Sequence, residues 1–210
     1  MLPLILLAAS LLPAQQASME CVNTGAQTAT AETQPVRGPG GALAVLKVSS
    51  TDDHSKNSHE CWADYQLLVT PAQGGSPVTV DLDSSDGDWG RSLSLNLAGF
   101  SNDGQHVLGI LAEGGKYSMA LLFDYNTGSR QVQLVDLKME FARIMPTSCS
   151  DSLDVVGTTQ GDVIVLQQTS DKPCGTSRRW LLNPAASKPP QPLLAGTSIL
   201  PLYDSKQNVR

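Results

Sequence analysis

Residues 100–128, FSNDGQHVLGILAEGGKYSMALLFDYNTG, contain two apolar runs that are joined by a pair of glycines. The runs His106–Ala112 and Tyr117–Tyr125 are rich in residues that favour β-strands. Gly114-Gly115 between them can adopt the positive φ angles of a tight hairpin turn, and Asn126-Thr127-Gly128 is a second turn after them. The stretch therefore predicts an antiparallel β-hairpin.

The same pattern of short apolar runs and polar turns continues on both sides of this hairpin. Further strands are predicted at Ala42–Val48, Ala63–Thr70, Val78–Leu82, Leu93–Ala98, Gln131–Asp136, Leu153–Gly157, Val163–Gln168, Arg179–Leu182 and Ile199–Tyr203. No stretch keeps a helical period over three turns, and residues 137–145, which come closest, are short and lack caps. The predicted fold class is all-β.

Three segments of the chain share one order of apolar strand, polar loop, apolar strand, turn and a final strand that ends in leucine. The closing leucines Leu82, Leu137 and Leu194 are 55 and 57 residues apart. A repeat of about 50 residues is typical of propeller blades and similar arrays. We therefore predict a propeller-like antiparallel meander of about three four-stranded units.

The middle unit resembles the repeat of WD-type and TolB-like β-propeller proteins. That repeat has an F-S-x-D-G turn before one strand and a D-x-x-T-G turn after the next, and this chain has Phe100-Ser101-Asn102-Asp103-Gly104 and Asp124-Tyr125-Asn126-Thr127-Gly128. The resemblance covers about 40 residues, and the other two units match weakly. It implies a fold that presents loops on one face and binds proteins, peptides or sugars there.

The number of units leaves several architectures open, because propellers usually have at least four blades. The chain is predicted to be an open or oligomer-completed array, a fragment of a longer propeller protein, or a β-sandwich. The last strand, Ile199–Tyr203, has no unit of its own. We expect it to pair with the first sheet and to cover an edge there.

The N-terminal residues indicate export. Leu2–Leu12 is almost wholly apolar, too short to span a bilayer, and is followed by small and polar residues that allow cleavage after Ala17 or Ala14. We predict a signal peptide at 1–17, an irregular N-terminal arm at 18–41 and a single β domain at 42–210. The mature protein is then secreted or periplasmic, with no membrane span.

The chain has four cysteines, Cys21, Cys61, Cys149 and Cys174. An even number in an exported chain indicates disulfide bonds rather than a zinc site, for which the spacing is too wide. Of the three possible connectivities, we favour Cys21–Cys61 and Cys149–Cys174, which join the cysteines nearest in sequence.

A formal net charge of −6 and the absence of a basic stripe argue against binding to nucleic acid. The sequence has no G-x-S-x-G elbow and no glycine-rich nucleotide loop. No cofactor is predicted, except for a weak calcium site in the acidic run at 81–88. Its ligands would be the carboxylates of Asp81, Asp83, Asp86 and Asp88, although the EF-hand spacing is not kept.

The sequence thus favours an exported, propeller-like binding or scaffold module without catalysis of its own. Its partner would be a protein, a peptide or a carbohydrate. Two alternatives remain: an extracellular hydrolase that acts on glycan or peptide through acidic residues, and a fragment of a longer propeller.

Overall fold

The computed structural model describes residues 15–21, 28–52, 60–72, 74–88, 90–114, 119–145, 149, 153–161, 163–168, 178–186 and 188–203. Five strand residues are described by their main chain only: Gln15, Asp52, Glu60, Asp86 and Asp88.

The described elements are short strands and one short helix. In chain order they are β1 (Gln15–Glu20), β2 (Ala29–Glu32), β3 (Val36–Arg37), β4 (Leu43–Asp52), β5 (Glu60–Thr70), β6 (Val78–Asp88), β7 (Ser92–Phe100), β8 (His106–Glu113), β9 (Met119–Asn126), β10 (Gln131–Asp136), α1 (Leu137–Phe141), β11 (Leu153–Thr158), β12 (Ile164–Gln168), β13 (Arg178–Leu182), β14 (Gln191–Pro192) and β15 (Leu200–Pro201).

These strands form three antiparallel sheets, so the predicted all-β antiparallel class is confirmed. The first sheet has the order β2-β4-β5-β6, with β3 also paired to β4; the middle sheet has the order β1-β7-β8-β9-β10; the third has the order β14-β13-β12-β11-β15. In each sheet, consecutive strands form a meander, and a short strand covers the free edge of its first long strand. The meander has three strands in the first sheet, whose edge both β2 and β3 cover, and four in the other two sheets. Each sheet contains five strands rather than the expected four.

Two hydrophobic cores lie on opposite faces of the middle sheet. The first core joins it to the first sheet and includes Leu67 and Leu95. The second joins it to the third sheet and includes Leu122 and Trp180, which contacts the ring of Phe141 edge-on with centroids 5.5 Å apart. Seven of the eight residues of β8 are buried, as expected for a strand covered on both faces.

Every strand predicted from the sequence has a counterpart, but the N-terminal arm differs from the prediction. The range 18–41 contains part of β1 together with β2 and β3, although its sequence is polar and small. β1 pairs with β7 over six residues, and β2 pairs with β4 over four. These segments are extended because they complete sheet edges, a tertiary effect that a local pattern does not reveal.

β1 also overlaps the predicted signal peptide at 1–17, because it starts at Gln15. Cleavage after Ala14 would leave this strand whole, whereas cleavage after Ala17 would remove half of it.

The expected pairing of the last strand with the first sheet is wrong. β15 pairs with β11 of the third sheet, with Thr158 opposite Leu200 and Gly157 opposite Pro201. A Cβ atom at position 157 would collide with the carbonyl oxygen of Leu200, so glycine permits this close approach. The free edge of β4 in the first sheet is instead occupied by β2 and β3.

The turns of the middle unit have specific hydrogen bonds. Ser101 Oγ donates to Asp103 Oδ1 over 2.6 Å, and Gly104 has φ of +76°. At the next turn, Asn126 Oδ1 accepts from two backbone amides. The described residue with positive φ there is Arg130 (+58°).

The helix α1 begins at a cap that the sequence analysis did not recognise. Asp136 accepts hydrogen bonds from the backbone N–H groups of Lys138 and Met139 at 2.9 and 3.0 Å. This is the usual action of an N-cap aspartate. The helix then buries Leu137 and Phe141 in the second core and leaves Met139 exposed.

Candidate functional site

β10 is the outermost strand of the middle sheet. It pairs with β9 along one edge, from Gln131 opposite Asn126 to Asp136 opposite Leu121. Along its other edge no described strand pairs with it. An edge strand of this kind offers backbone N–H and C=O groups to a partner.

Exposed apolar side chains gather where β10 passes into α1. Leu134 is 40% exposed, Met139 is 74% exposed and Ile144 is 38% exposed. They are three of only five large hydrophobic side chains that are exposed in the described part of the chain. Single exposed apolar residues are ordinary, but a concentration within eleven residues marks a candidate contact surface.

Two cavities adjoin along β10, between it and the third sheet. The polar one has a volume of about 340 Å³ and is lined by side chains that include Gln131, Gln133 and Asn183. The other, which we call the mixed cavity, has a volume of about 590 Å³ and is lined by Leu134 and Met139 together with the charged residues Asp136, Glu140, Arg143 and Lys188. Pro184 lines both, so we treat the two cavities and the β10 edge as one feature, the β10 groove.

A histidine–aspartate pair lies in the wall of the polar cavity. The distance between His106 Nδ1 and Asp124 Oδ1 is 2.7 Å, and their side chains are 11% and 9% exposed. The backbone N–H of His106 donates to Ser101 Oγ, which ties the histidine to the preceding turn. The pair thus fixes the orientation of an imidazole in the wall of the polar cavity.

The four aspartates of the predicted calcium site lie along one extended strand, β6. Asp81 and Asp83 line a cavity of about 510 Å³ together with Asp64 of β5. A strand rises by about 3.3 Å per residue, so the main chain at Asp81 and Asp88 is about 23 Å apart. One ion cannot contact both ends of this run.

Two carboxylates of that cavity already accept hydrogen bonds from neighbouring side chains. Gln66 Nε2 donates to Asp81, and Trp62 Nε1 donates to Asp64, each over 2.9 Å. The described residues contain no group of three or more His, Cys, Asp or Glu side chains placed to hold a metal ion.

The cysteines follow the predicted pattern as far as they are described. Cys21 and Cys61 form a disulfide that links the end of β1 to β5. Cys149 is also disulfide-bonded and fully buried. Cys174, its predicted partner, lies outside the described residues.

A buried polar cluster joins the first and middle sheets beside the Cys21–Cys61 disulfide. Glu113 accepts hydrogen bonds from Tyr65, Ser85 and Arg91, and Arg91 also donates to the carbonyl oxygens of Cys61 and Ser85. Burial, and then the hydrogen bond to Glu113, raises the pKa of Tyr65 above its usual value, so its phenol stays a neutral donor. These hydrogen bonds connect the first sheet to the middle sheet.

The β10 groove was not among the sites predicted from the sequence, although β10 contains a signal. Val135 packs against the second core, and Gln131 and Gln133 share its side of the strand. Two glutamines on the side that faces another sheet, where the neighbouring strands are apolar, indicate a gap between the sheets.

Comparison of the chain with protein-family models, with curated proteins and with solved structures gives no match. Among the described residues, no helix has the length and apolar character needed to cross a membrane.

Proposed function

We propose that this chain is an exported, propeller-like binding module that holds an extended polypeptide segment in the β10 groove. The observation that carries the proposal is the coincidence of an unpaired edge strand with two cavities and a cluster of exposed apolar side chains. Export is supported by the apolar, leader-like start of the sequence and by the disulfides. The propeller-like architecture is supported by the resemblance of the middle unit to a propeller repeat.

Addition of a strand is the binding mode that fits an open edge. In such complexes the backbone hydrogen bonds supply affinity, and pockets for alternate side chains supply specificity. The segment bound here would run along Gln131–Asp136 and place its side chains in the two cavities. No nucleophile or cofactor is required for this role.

The lining of the groove defines the kind of segment. The mixed cavity suits an aliphatic or aromatic side chain that lies against Leu134 and Met139, with the charged residues of the lining around it. The polar cavity, with Gln133 and the His106–Asp124 pair, suits a side chain that forms hydrogen bonds. The expected ligand is therefore a β-prone peptide with a polar residue and an apolar residue a short distance apart.

The test is selection from a displayed library of random dodecapeptides, followed by fluorescence anisotropy with the selected peptides. Met139→Lys should weaken their binding at least tenfold, because it replaces one of the exposed apolar side chains of the mixed cavity with a charged one. Leu194→Lys is the matched control, since Leu194 is also 74% exposed but does not line the groove. Unfolding midpoints of both variants should equal that of the parent protein.

The proposal fails if no peptide is enriched, or if both lysine variants bind the selected peptides equally well. A glycan array run in parallel tests for a carbohydrate ligand. Binding of a sugar that Met139→Lys leaves intact would point to a different site and a carbohydrate ligand.

A second candidate function, an extracellular hydrolase of glycan or peptide, is favoured by the acidic cavity of Asp64, Asp81 and Asp83. Carboxylates at a fixed separation can act as acid and base in glycoside hydrolysis. Turnover of polysaccharide and casein substrates that is lost in both Asp81→Asn and Asp83→Asn, but kept in Met139→Lys, would establish this candidate. If the parent protein turns over neither substrate, the hydrolase function is excluded.

A further inference from the structure

A separate cavity lies between the middle sheet, at its strands β1, β7 and β8, and β11 of the third sheet. Its volume is about 360 Å³. Cross-strand pairing aligns Gln16 with Asn96 and Ser18 with Ser94, so these four side chains share the face that looks toward β11. Asp154 of β11 lines the opposite side. We call this space the Asp154 cavity.

One hydrogen bond crosses the Asp154 cavity. Asn96 Nδ2 donates to Asp154 Oδ1 over 3.0 Å. The carboxylate fixes the orientation of the amide, because only the NH₂ end of Asn96 can donate to it. The amide oxygen is consequently turned away from Asp154.

That amide oxygen is buried and has no hydrogen-bond partner among the described residues. A buried acceptor without a donor costs about 1–3 kcal/mol. A donor from outside the chain would remove this cost. The site thus has an unmet requirement for a donor at Asn96 Oδ1, beside a carboxylate.

The charge in the cavity has no cationic partner in the described part of its wall. Among the described residues that line the cavity, none is a lysine or an arginine. Burial raises the pKa of Asp154, and the hydrogen bond from Asn96 opposes that rise. An approaching cation therefore meets a partly desolvated carboxylate that has no cationic partner among the described lining residues, and an ion pair gains most in such a setting.

The rest of the wall is part polar and part apolar. Gln16, Ser18 and Ser94 contribute polar groups, and Ile110, Ala112 and Leu153 contribute methyl and methylene groups. A volume of 360 Å³ lies at the lower end of the range of small-molecule sites. The space suits a ligand with one cationic head and a short apolar body.

We propose that the Asp154 cavity binds a small organic ammonium ion, a primary alkylamine or arylalkylamine. Its ammonium group donates to the Asp154 carboxylate and to Asn96 Oδ1, and its hydrocarbon part lies against Ile110 and Leu153. This site is distinct from the β10 groove and does not depend on the peptide-binding function proposed above.

The test compares three probes that share a phenyl group and a short alkyl chain: phenethylamine, 2-phenylethanol and 3-phenylpropanoate. Binding is measured by titration in two-dimensional NMR of the full chain as secreted, with its N-terminus verified by mass. The amine should bind at least tenfold more tightly than the alcohol, and the carboxylate should not bind. Amides of residues 94–96 and 153–155 should show the largest shifts.

Asp154→Asn should abolish the preference for the amine over the alcohol, because the isosteric side chain keeps the bond from Asn96 and removes the charge. Glu32→Gln is the control for a general change of charge, since Glu32 is an exposed residue of the first sheet. It should leave the preference intact.

Equal binding of amine and alcohol by the parent protein would overturn the proposal, as would an equal loss of amine preference in both variants. Shifts confined to the acidic cavity at Asp81 would likewise overturn it and would indicate attraction to surface charge. Peptide binding in the β10 groove should be unchanged in Asp154→Asn, so failure of one proposal is separable from failure of the other.

Discussion

Arg91 and Glu113 form an ion pair with 2.7 Å between Arg91 Nη1 and Glu113 Oε2, and their side chains are only 8% and 3% exposed. Glu113 is the last residue of β8 in the middle sheet, and Arg91 directly precedes β7 of the same sheet. Tyr65 and Ser85, which also donate to Glu113, belong to the first sheet. The pair therefore connects two layers through a shared acceptor.

Loss of one partner of this pair should be strongly destabilising. Glu113→Gln removes the carboxylate of this buried pair, and removing one partner of a buried pair typically costs about 3–5 kcal/mol. We expect the free energy of unfolding, measured by urea denaturation, to fall by an amount in that range.

The exposed pair of Lys47 and Glu32 serves as the comparison. The distance between Lys47 Nζ and Glu32 Oε1 is 3.5 Å, and the side chains are 30% and 51% exposed. Exposed pairs contribute about 0–1 kcal/mol, so Glu32→Gln should change the stability little. Equal effects of the two substitutions would show that the Arg91–Glu113 pair has no special role.

The Cys21–Cys61 disulfide should provide a larger stabilisation than most single contacts. It joins cysteines separated by 40 residues, and a loop of that length corresponds to a loss of about 4 kcal/mol when the cross-link is removed. The double variant Cys21→Ala with Cys61→Ala should unfold at a correspondingly lower urea concentration. A midpoint equal to that of the parent protein would contradict this expectation.

The strands of the middle hairpin could be predicted because their information is local. His106–Ala112 is a continuous apolar run behind an Asp-Gly turn, and the observed strand β8 begins at His106 as expected. In contrast, β1 has the sequence QQASME, in which nothing local favours a strand. It is extended because it completes the edge of β7, and that partner lies about 80 residues away in the chain.

The candidate sites were even less accessible to prediction. Asn96 and Asp154 are 58 residues apart, and only the packing of the third sheet on the middle sheet brings them together. The Asp81–Asp88 run was conspicuous in the sequence, yet an extended strand separates its ends. A single sequence shows which side chains are present, but contacts between sheets depend on how the sheets stack.

Asp154→Asn should raise the thermal stability at neutral pH and lose this advantage in acid. The pKa of Asp154 is raised above its ordinary value of 3.8, with burial as the main cause. Between 3.8 and the raised value, the folded state holds more protons than the unfolded state, so stability falls as the pH rises through this window. Asparagine does not titrate and avoids that loss.

The measurement is the difference in melting temperature between Asp154→Asn and the parent protein at pH 7 and at pH 3. The difference should be positive at pH 7 and smaller at pH 3. Asp103→Asn should instead lower the melting temperature at pH 7. Burial raises the pKa of Asp103, but the hydrogen bonds from Ser101 and Gln105 outweigh it and lower the pKa, so the folded state favours the carboxylate. A melting-temperature difference for Asp154→Asn that is independent of pH would contradict the prediction.

Export should remove residues 1–14 and leave Gln15 as the first residue of the mature protein. Both Ala14 and Ala17 offer a small residue at the cut. β1, however, pairs with β7 from Gln15 opposite Leu97 through Glu20 opposite Ser92, and Ala17 packs against the first core. A cut after Ala17 would remove three of the six cross-strand pairs and open one wall of the Asp154 cavity.

Intact-mass measurement of the protein secreted by an exporting host decides between the two cuts. A recombinant form that begins at Ser18 should melt at a lower temperature than one that begins at Gln15, and it should bind phenethylamine less tightly because Gln16 and Ala17 no longer line the cavity. A secreted product that begins at Ser18 and matches the longer form in melting temperature would show that the first half of β1 contributes nothing to the fold.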